Sequence, residues 1–429
     1  MMDEQSEQLL NIAQKKGAVA AEVYQIRSQT HPVFFEGNRL KQLESSQSQG
    51  TALRLWQNDR PGLAVAYGLV EPELLVERAI ALSRLNLPET IELGTAKTLI
   101  YQEEEINLSV EDLVKIGRDT IATIRDKYSE VICSAELEKE TETTTIINSQ
   151  GLYCQYQDIS LSYDFGVELV RGEDFLAIYD GEYSKKKINL DLVVDSIIQR
   201  LDWAKNNASV LAGKIPVLLT ANAATMLWET VSAASNGKRV WEGSSPWSDR
   251  SGDLVISELL NIAQQSNLKP YNCPIDDEGT LTQDFSFISN GRLQRFYCDR
   301  TIARQLGIEN TGNGFRPDLE SYPSPSLINL VVQPGQDGSF QELITQLNRG
   351  IIVDQILGGS ADISGDFSVN VDLGYRVEQG EVIGRIKDVA IAGNVYDILQ
   401  QVIALGSVAS WSGSCYTPPL IVSGVSVVG

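Results

Sequence analysis

One histidine, His31, is present among the 429 residues of this chain. Zinc hydrolases, Ser-His-Asp triads and Cys-His dyads commonly take metal ligands or general bases from imidazole rings. A site built on several histidines is therefore excluded within this chain. His31 precedes Pro32 at the start of a predicted strand, with no cysteine or second histidine beside it, so we interpret it as structural or exposed.

The cysteines and the N-terminal segment indicate a reducing compartment. The five cysteines are widely spaced and show no Cys-x-x-Cys pattern, so neither a disulfide framework nor a zinc knuckle is indicated. Residues 1–7 are polar and acidic, where a signal peptide needs a basic and then an apolar segment. No apolar run reaches the roughly 18 residues of a membrane helix. We expect a cytoplasmic protein with free thiols.

The charge balance limits the partners of the chain. It carries 35 basic and 57 acidic side chains, a formal net charge of −22. Such a surface repels the phosphates of nucleic acids and the headgroups of anionic lipids. We therefore expect no direct nucleic-acid partner and no membrane partner. The chain is long enough for two or three domains with sizeable cores.

Hydrophobic periodicity predicts an α+β domain over residues 1–187. Apolar residues recur at helical spacing in three segments, which are residues 3–16, 71–85 and 109–128. The third segment opens with Ser109 and Asp112, the spacing of a capping box. Alternating apolar and polar residues predict strands at residues 22–27, 32–36, 50–57 and 63–67 and within 131–183.

The pattern changes over residues 188–429, for which we predict a mainly antiparallel β domain with a few helices. Helical spacing and one buried strand come first, at residues 190–208, 215–220 and 221–235. A polar loop follows at 241–249. After Gly279, strands and glycine turns dominate, interrupted by helices at residues 300–306, 339–348 and 394–403. The predicted fold class is α+β with two domains.

Short motifs in a fixed order resemble the TldD/PmbA family, over nearly the whole chain. They include Phe35-Glu-Gly37, Thr311-Gly-Asn-Gly314, Gly365-Asp-Phe-Ser368, Gly374-Tyr-Arg-Val377 and Ile391-Ala-Gly-Asn394. The resemblance implies a two-domain α+β fold and pairing of subunits. It also implies a role in a cytosolic metalloprotease system that matures peptides and degrades small proteins.

In that family the TldD-type subunit carries HExxxH on a helix, and its two imidazoles and a later cysteine bind zinc. The corresponding helix here places Trp228 or Glu229 at the first ligand position and Ala233 or Ala234 at the second. Alanine has no lone pair to donate to a metal ion. Cys415 lies near the family's C-terminal cysteine region, but a lone thiolate is a weak zinc site.

The chain is therefore similar to the PmbA/TldE branch, which lacks the metal motif. We expect no catalytic residue and no cofactor in this chain, with zinc held by a TldD-like partner. The predicted function is that of a non-catalytic subunit, paired with a TldD-like subunit or a second copy, acting on unfolded peptides or small proteins. Tryptophans in a polar loop and glycine-rich strand edges are typical of peptide grooves. The predicted substrate cleft comprises Trp241, Trp247, Asn313, Asp366 and Asn394.

Two other functions stay open at this point. One is a self-sufficient homodimeric peptidase whose site uses carboxylates and Cys415. The other is a regulator of DNA gyrase acting through protein contacts. Three adjacent acidic residues, Asp276 to Glu278, with the nearby Asp284 could hold a hard cation, but we predict a solvated acidic loop.

Overall fold

A computed structural model describes residues 4–187, 190–359 and 361–429 of the chain. None of the helices in these ranges combines the length and the apolarity that a membrane crossing requires. The first half consists of α1 (Glu4–Lys15), β1 (Ala20–Glu36), β2 (Arg39–Leu43), β3 (Ser46–Gln57), β4 (Arg60–Tyr67), α2 (Pro72–Ser83), β5 (Lys97–Gln102), α3 (Val110–Lys127), β6 (Ile132–Asn148), β7 (Leu152–Arg171) and β8 (Asp174–Ser184).

The strands of the first half form one eight-stranded sheet within the described residues. Its order is β4-β3-β1-β6-β7-β5, with β2 beside β1 and β8 beside β7. Strand β1 runs through 17 residues, where the pattern predicted two shorter strands. The polar residues between the two predicted strands stay extended because both neighbours continue alongside them, pairing Thr30 with Ser46 of β3 and with Glu140 of β6.

The two faces of this sheet have opposite characters. Along β6, odd-numbered residues from Cys133 to Leu137 are buried while their even-numbered neighbours are exposed. The buried face packs against α3, whose start at Ser109 is fixed by the predicted capping box, since Ser109 and Asp112 each bond the other's backbone N–H. The opposite face, which carries Ser134 and Glu136, is polar.

The second half contains short strands and helices. In chain order they are α4 (Asp191–Trp203), β9 (Gly213–Lys214), β10 (Val217–Leu219), α5 (Ala221–Ser235), α6 (Gly237–Trp241), β11 (Ile262–Gln264), β12 (Phe285–Ser289), β13 (Arg292–Leu293), α7 (Arg300–Leu306), β14 (Gly314–Phe315), β15 (Ser324–Pro325), β16 (Leu330–Val332), α8 (Phe340–Leu347), β17 (Arg349–Leu357), β18 (Asp366–Glu378), β19 (Glu381–Ile386), β20 (Val389–Asn394), α9 (Val395–Gln400), β21 (Val402–Leu405), β22 (Ser410–Ser412), β23 (Cys415–Thr417), β24 (Leu420–Val422) and β25 (Ser426–Val428).

Two larger sheets organise this half of the described chain. A nine-stranded sheet runs β21-β24-β10-β17-β18-β20-β25-β9 with β19 beside β18, and a six-stranded sheet runs β13-β12-β11-β16-β23-β22. Pairing is antiparallel except between β10 and β17 and between β16 and β23. The α+β architecture predicted from the sequence is confirmed.

The two halves share apolar packing. One core cluster joins Leu137 and Phe165 of the first sheet, Ile197 of α4, and Ile352 and Tyr375 of the second sheet. Helix α4 ends at Trp203, five residues before the predicted end. The domain boundary expected after residue 187 stays a prediction, because α4 on its far side belongs to a core common to both halves.

Candidate functional site

Helix α5 carries the positions that correspond to the metal motif, and its bounds agree with those predicted. It begins directly after β10, where the Thr220 side chain accepts a hydrogen bond from the backbone N–H of Ala223. Trp228 is 1% exposed, and its indole Nε1 donates a 2.9 Å hydrogen bond to Oγ1 of Thr417 on β23. The indole therefore fills the space between the helix and this strand, and its N–H is a donor that cannot bind a metal ion.

The other motif positions offer little to a cation. Glu229 is exposed, Ala233 is half-buried and Ala234 is fully buried, with its backbone carbonyl accepting a 2.6 Å hydrogen bond from Ser245. Within the described ranges, no group of three or more His, Cys, Asp or Glu residues is placed to hold a metal ion. The residues present on α5 do not fit a zinc centre of the kind that the resemblance implies.

Cys415 lies close to this helix, as the family's cysteine region would require. It begins β23, two residues before Thr417, and burial, together with the Glu229 carboxylate, raises the pKa of its thiol to about 12. A thiol that keeps its proton is a poor zinc ligand and a poor nucleophile. The structure thus brings the helix and the cysteine together. Of the side chains considered for the motif, only the Cys415 thiol and the Glu229 carboxylate are of a type that binds zinc.

A cleft of about 1760 Å³ lies next to the start of α5. Its walls are the polar face of the first sheet at β6, β7 and β8, part of α4, and the hairpin of β22 and β23. Ala221 and Asn222 of α5 reach its edge, where the hydroxyl of Ser412 donates to the Asn222 side chain at 3.2 Å. The cleft therefore adjoins the end of the helix that carries the degenerate motif.

Four half-buried aromatic side chains form a continuous run along the cleft. Tyr183 of β8 stacks on Tyr271 with ring centroids 4.9 Å apart, Tyr271 lies 4.9 Å from Trp411, and Trp411 lies 5.0 Å from Tyr416. The run connects the first sheet to the β22–β23 hairpin. Aromatic rings in this arrangement give a large contact area at low entropic cost.

The cleft is acidic. Eight carboxylate residues line it against two basic residues, Lys41 and Arg200. The two basic groups are already paired, Lys41 with Glu36 and Arg200 with Asp180 and Asp354. The remaining lining carboxylates form no ion pair in the described part of the chain, and these are Glu44, Glu136, Asp164, Glu168 and Glu182.

Two strand edges face the cleft. Among the described residues, β8 hydrogen-bonds only to β7, and β22 only to β23. The side chain of Gln355 covers part of the β8 edge, accepting from the Tyr179 N–H at 2.8 Å and donating to the Ala177 carbonyl at 3.2 Å. Residues 181–183 of β8 and Ser410 to Ser412 of β22 line the cleft beyond this cap. An extended peptide can add to such an edge.

The five residues predicted to form the substrate cleft do not line this cavity. Trp247 is 2% exposed and packs against Tyr396, and Asn313 is fully buried, donating to Gln264 and to the Ser326 carbonyl. For these two the prediction was wrong: the loop that carries Trp247 folds back onto the core beneath α5, and Asn313 is held in the interior by its hydrogen bonds.

The other three predicted cleft residues are more accessible. Trp241 is 52% exposed at the end of α6. The Asn394 side chain caps α9 and donates to Asp366 at 2.9 Å, so the structure brings these two together. Their contacts are those of a helix cap and a turn.

The prediction of a solvated acidic loop at Asp276 to Glu278 was also wrong, because this segment is buried against the first sheet. Asp276 accepts hydrogen bonds from the backbone N–H groups of Glu278, Thr280 and Gly314 at 2.7 to 3.0 Å. Burial raises the pKa of Asp276 to about 7 and that of Asp277 to about 6. The oxygens of Asp276 organise the turn instead of facing a cation or water.

Sequence reasoning missed the cleft. The polar face of β6 and β7 was visible as alternation, for example Ser134 and Glu136 against Ser162 and Asp164. That alternation identifies a sheet face outside the hydrophobic core. Such faces usually contact bulk water, so the pattern does not indicate a cleft. Tyr271 and Trp411 meet only through the packing of distant segments, and no local pattern signals that contact.

Two family models match the chain. The PmbA/TldA metallopeptidase C-terminal domain matches residues 212–429, and domain 1 of the same family matches residues 21–83. The first of these alone spans half of the chain.

Curated relatives from both branches are similar to the chain. A metalloprotease PmbA homolog of Haemophilus influenzae is 22% identical over 98% of this chain and 94% of that protein. A metalloprotease TldD homolog of Buchnera aphidicola is 27% identical, but the match covers 54% of this chain and 49% of that protein. The chain thus spans about half the length of this TldD relative and nearly all of the PmbA relative.

Among solved structures, TldE from Thermococcus kodakarensis superposes with a TM-score of 0.90. The superposition covers 99% of this chain and 100% of that chain at 23% sequence identity. At this identity the likeness supports the fold.

Proposed function

The chain belongs to the PmbA/TldD metallopeptidase family, and from that premise we propose that it is a non-catalytic subunit of a TldD/TldE-type metalloprotease complex. In this role it binds part of an extended peptide and presents it to a TldD-like subunit that holds the zinc. Any hydrolysis of the peptide bond takes place at the partner's metal.

One observation carries the proposal. Trp228, which stands at the first ligand position in one of the two registers of the motif helix, is buried and hydrogen-bonded to Thr417 at 2.9 Å, and Glu229, which stands there in the other register, is exposed. A side chain packed this way supports the structure of the helix-strand contact and excludes a metal ion from the same space. The second position is an alanine in either register, so neither position supplies an imidazole.

The cleft supports a substrate-binding role. Its volume of about 1760 Å³ exceeds that of a typical small-molecule pocket, roughly 300–1,000 Å³. Open strand edges at β8 and β22 offer backbone hydrogen bonds to an extended chain, and such bonds read the peptide backbone more than its sequence. This suits a protease subunit that handles unfolded segments.

The test is reconstitution. The chain is co-expressed with a TldD-like protein from the same cell, and hydrolysis of casein or an unfolded peptide is measured for each protein alone and for both together. The proposal predicts a complex that co-purifies, no activity in this chain alone, and a higher rate for the mixture than for the TldD-like protein alone. No gain on mixing would overturn the subunit role.

The same experiment addresses the two other functions predicted from the sequence. Activity of this chain alone would favour a self-sufficient homodimeric peptidase. Capture of gyrase subunits from the cell extract, with no gain of proteolysis on mixing, would favour a regulator of DNA gyrase.

A further inference from the structure

The charge of the cleft points to a particular class of peptide. Glu136 of β6 and Asp164 of β7 are paired across the sheet, and both side chains are exposed on the face that lines the cleft. Glu168 follows on the same face of β7, since residues two apart on a strand share a face. Like charges directly opposite each other on a sheet repel, so this arrangement is unfavourable without a positive partner.

No basic side chain of the described chain compensates these three carboxylates by an ion pair. Arg200 is held between Asp180 and Asp354 at 2.9 Å from each, and Lys41 is paired with Glu36. The reduced access to water inside the cleft raises the pKa of Asp164 above its ordinary value. A cationic group that enters the cleft therefore finds negative charge that this chain leaves unpaired.

The acidic wall and the aromatic run are contiguous. Tyr183 lies directly across β7–β8 from Ser162, and its ring stacks on Tyr271. Burial raises the pKa of the Tyr271 hydroxyl, and the Asp164 carboxylate is near enough to contribute to that rise. A peptide that follows the run of rings from Tyr183 to Tyr416 thus passes beside the unpaired carboxylates.

We propose that the cleft selects extended peptides rich in lysine and arginine, with the basic side chains against Glu136, Asp164 and Glu168 and the aliphatic or aromatic parts against the run of rings. This inference rests on the proposed function only in that the occupant is a peptide. It adds the chemical class of that peptide. Arginine and lysine suit such a site because their stems pack on rings while their charged ends meet carboxylates.

Binding is measured with this chain alone, using three labelled, unstructured peptides of one length with lysine, glutamine or glutamate at the same alternate positions. Fluorescence anisotropy gives the dissociation constants at low and at physiological salt. We expect the lysine peptide to bind at least about tenfold more tightly than the glutamate peptide, with a difference that narrows as salt screens the carboxylates.

The double variant E136Q/D164N removes two of the unpaired charges and keeps the shape of both side chains. It should weaken binding of the lysine peptide by about fivefold and leave binding of the glutamine peptide within about twofold. The matched control is E4Q/E7Q on α1, which changes the net charge equally at exposed positions that do not line the cleft. Trp411→Ala should weaken binding of all three peptides.

Equal affinity for the three peptides, or no binding of any of them to the folded chain, would overturn the proposal. An equal loss in E136Q/D164N and E4Q/E7Q would also overturn it, because binding would then reflect the overall charge of −22. These outcomes are separate from the reconstitution assay. A mixture that gains activity with no preference for basic peptides would leave the subunit role in place and remove the selectivity.

Discussion

Trp228 and Thr417 connect the motif helix to β23, the strand that begins at Cys415, through a hydrogen bond of 2.9 Å between a fully buried indole and a fully buried hydroxyl. In TldD-type subunits, as the resemblance implies, the corresponding helix carries the metal motif. Here the contact is apolar packing with one neutral hydrogen bond. The junction is therefore expected to contribute to stability.

The first prediction concerns this indole. Trp228→Ala should lower the free energy of unfolding by about 3–5 kcal/mol, because it leaves a cavity in the core and removes a buried hydrogen bond. Trp228→Phe should cost about 2 kcal/mol. The control is Trp241→Ala, since Trp241 is 52% exposed, and its cost should stay below about 1 kcal/mol. Denaturant unfolding gives all three values, and equal losses at the two positions would contradict the packing described.

The second prediction concerns the contact between the two halves of the chain. Glu22 of β1 accepts hydrogen bonds from Arg54 at 2.9 Å and from Arg316 at 3.1 Å, and Glu22 and Arg316 are almost fully buried. Glu22→Gln deprives two buried guanidinium groups of their hydrogen-bonded counter-charge, so we expect a loss of about 3 kcal/mol and faster proteolysis between the halves.

An exposed ion pair on α3 provides the comparison for this prediction. Lys115 and Asp119 lie 2.6 Å apart on the surface, and Asp119→Asn should cost less than about 1 kcal/mol. If Glu22→Gln costs no more than Asp119→Asn, the buried network does not hold the halves together.

The third prediction is a dependence of stability on pH. Burial, together with the nearby carboxylates of Glu140, Asp158 and Asp277, raises the pKa of Glu142 to about 7. The folded state therefore binds the proton more tightly than the unfolded state does. Stability contributed by protonated Glu142 is present at low pH and is lost as pH rises toward and through about 7.

Glu142→Gln removes this titration. The variant should be more stable than the parent at pH about 8.5, with a smaller difference at pH about 6, because the parent is then largely protonated. Thermal unfolding at both values measures the effect. The control is Glu381→Gln at an exposed position of β19. A variant that is less stable than the parent at high pH would contradict the assignment.

The fourth prediction concerns the thiols. Burial raises the pKa of Cys133 and of Cys154 to about 11 and that of Cys415 to about 12. Alkylation by iodoacetamide near pH 8 should therefore be at least about tenfold slower in the folded chain than in denaturant, where all five thiols become accessible. Mass spectrometry identifies each site. Rapid labelling of Cys415 in the folded chain would indicate an activated thiolate beside α5.

The sequence predicted the elements better than it predicted the cleft. Helix α5 and helix α7 have the bounds that periodicity gave, because a capping side chain and a clear apolar stripe define each of them. The burial of Asp276 was not predictable in this way. One of the hydrogen bonds that Asp276 accepts comes from the backbone N–H of Gly314, 38 residues later, and such a contact leaves no mark on local composition.

The presence of a single imidazole, that of His31, was informative because the count covers the whole sequence and needs no structure. The location of the cleft depends on three-dimensional contacts, since Tyr183, Tyr271 and Trp411 come from three distant segments. The residue composition limits which catalytic chemistry the chain can perform. A surface built from distant segments can be located only once the three-dimensional structure is known.

We propose that the catalytic metal is held by the partner and not by this chain, and metal analysis of the purified chain tests this proposal. The chain is incubated with excess zinc, desalted and measured by mass spectrometry, alongside a TldD-like protein treated in the same way. We expect less than about 0.1 zinc per chain, since a zinc site needs three or more protein ligands. About one zinc per chain, lost on substitution of Glu229 or Cys415, would contradict it.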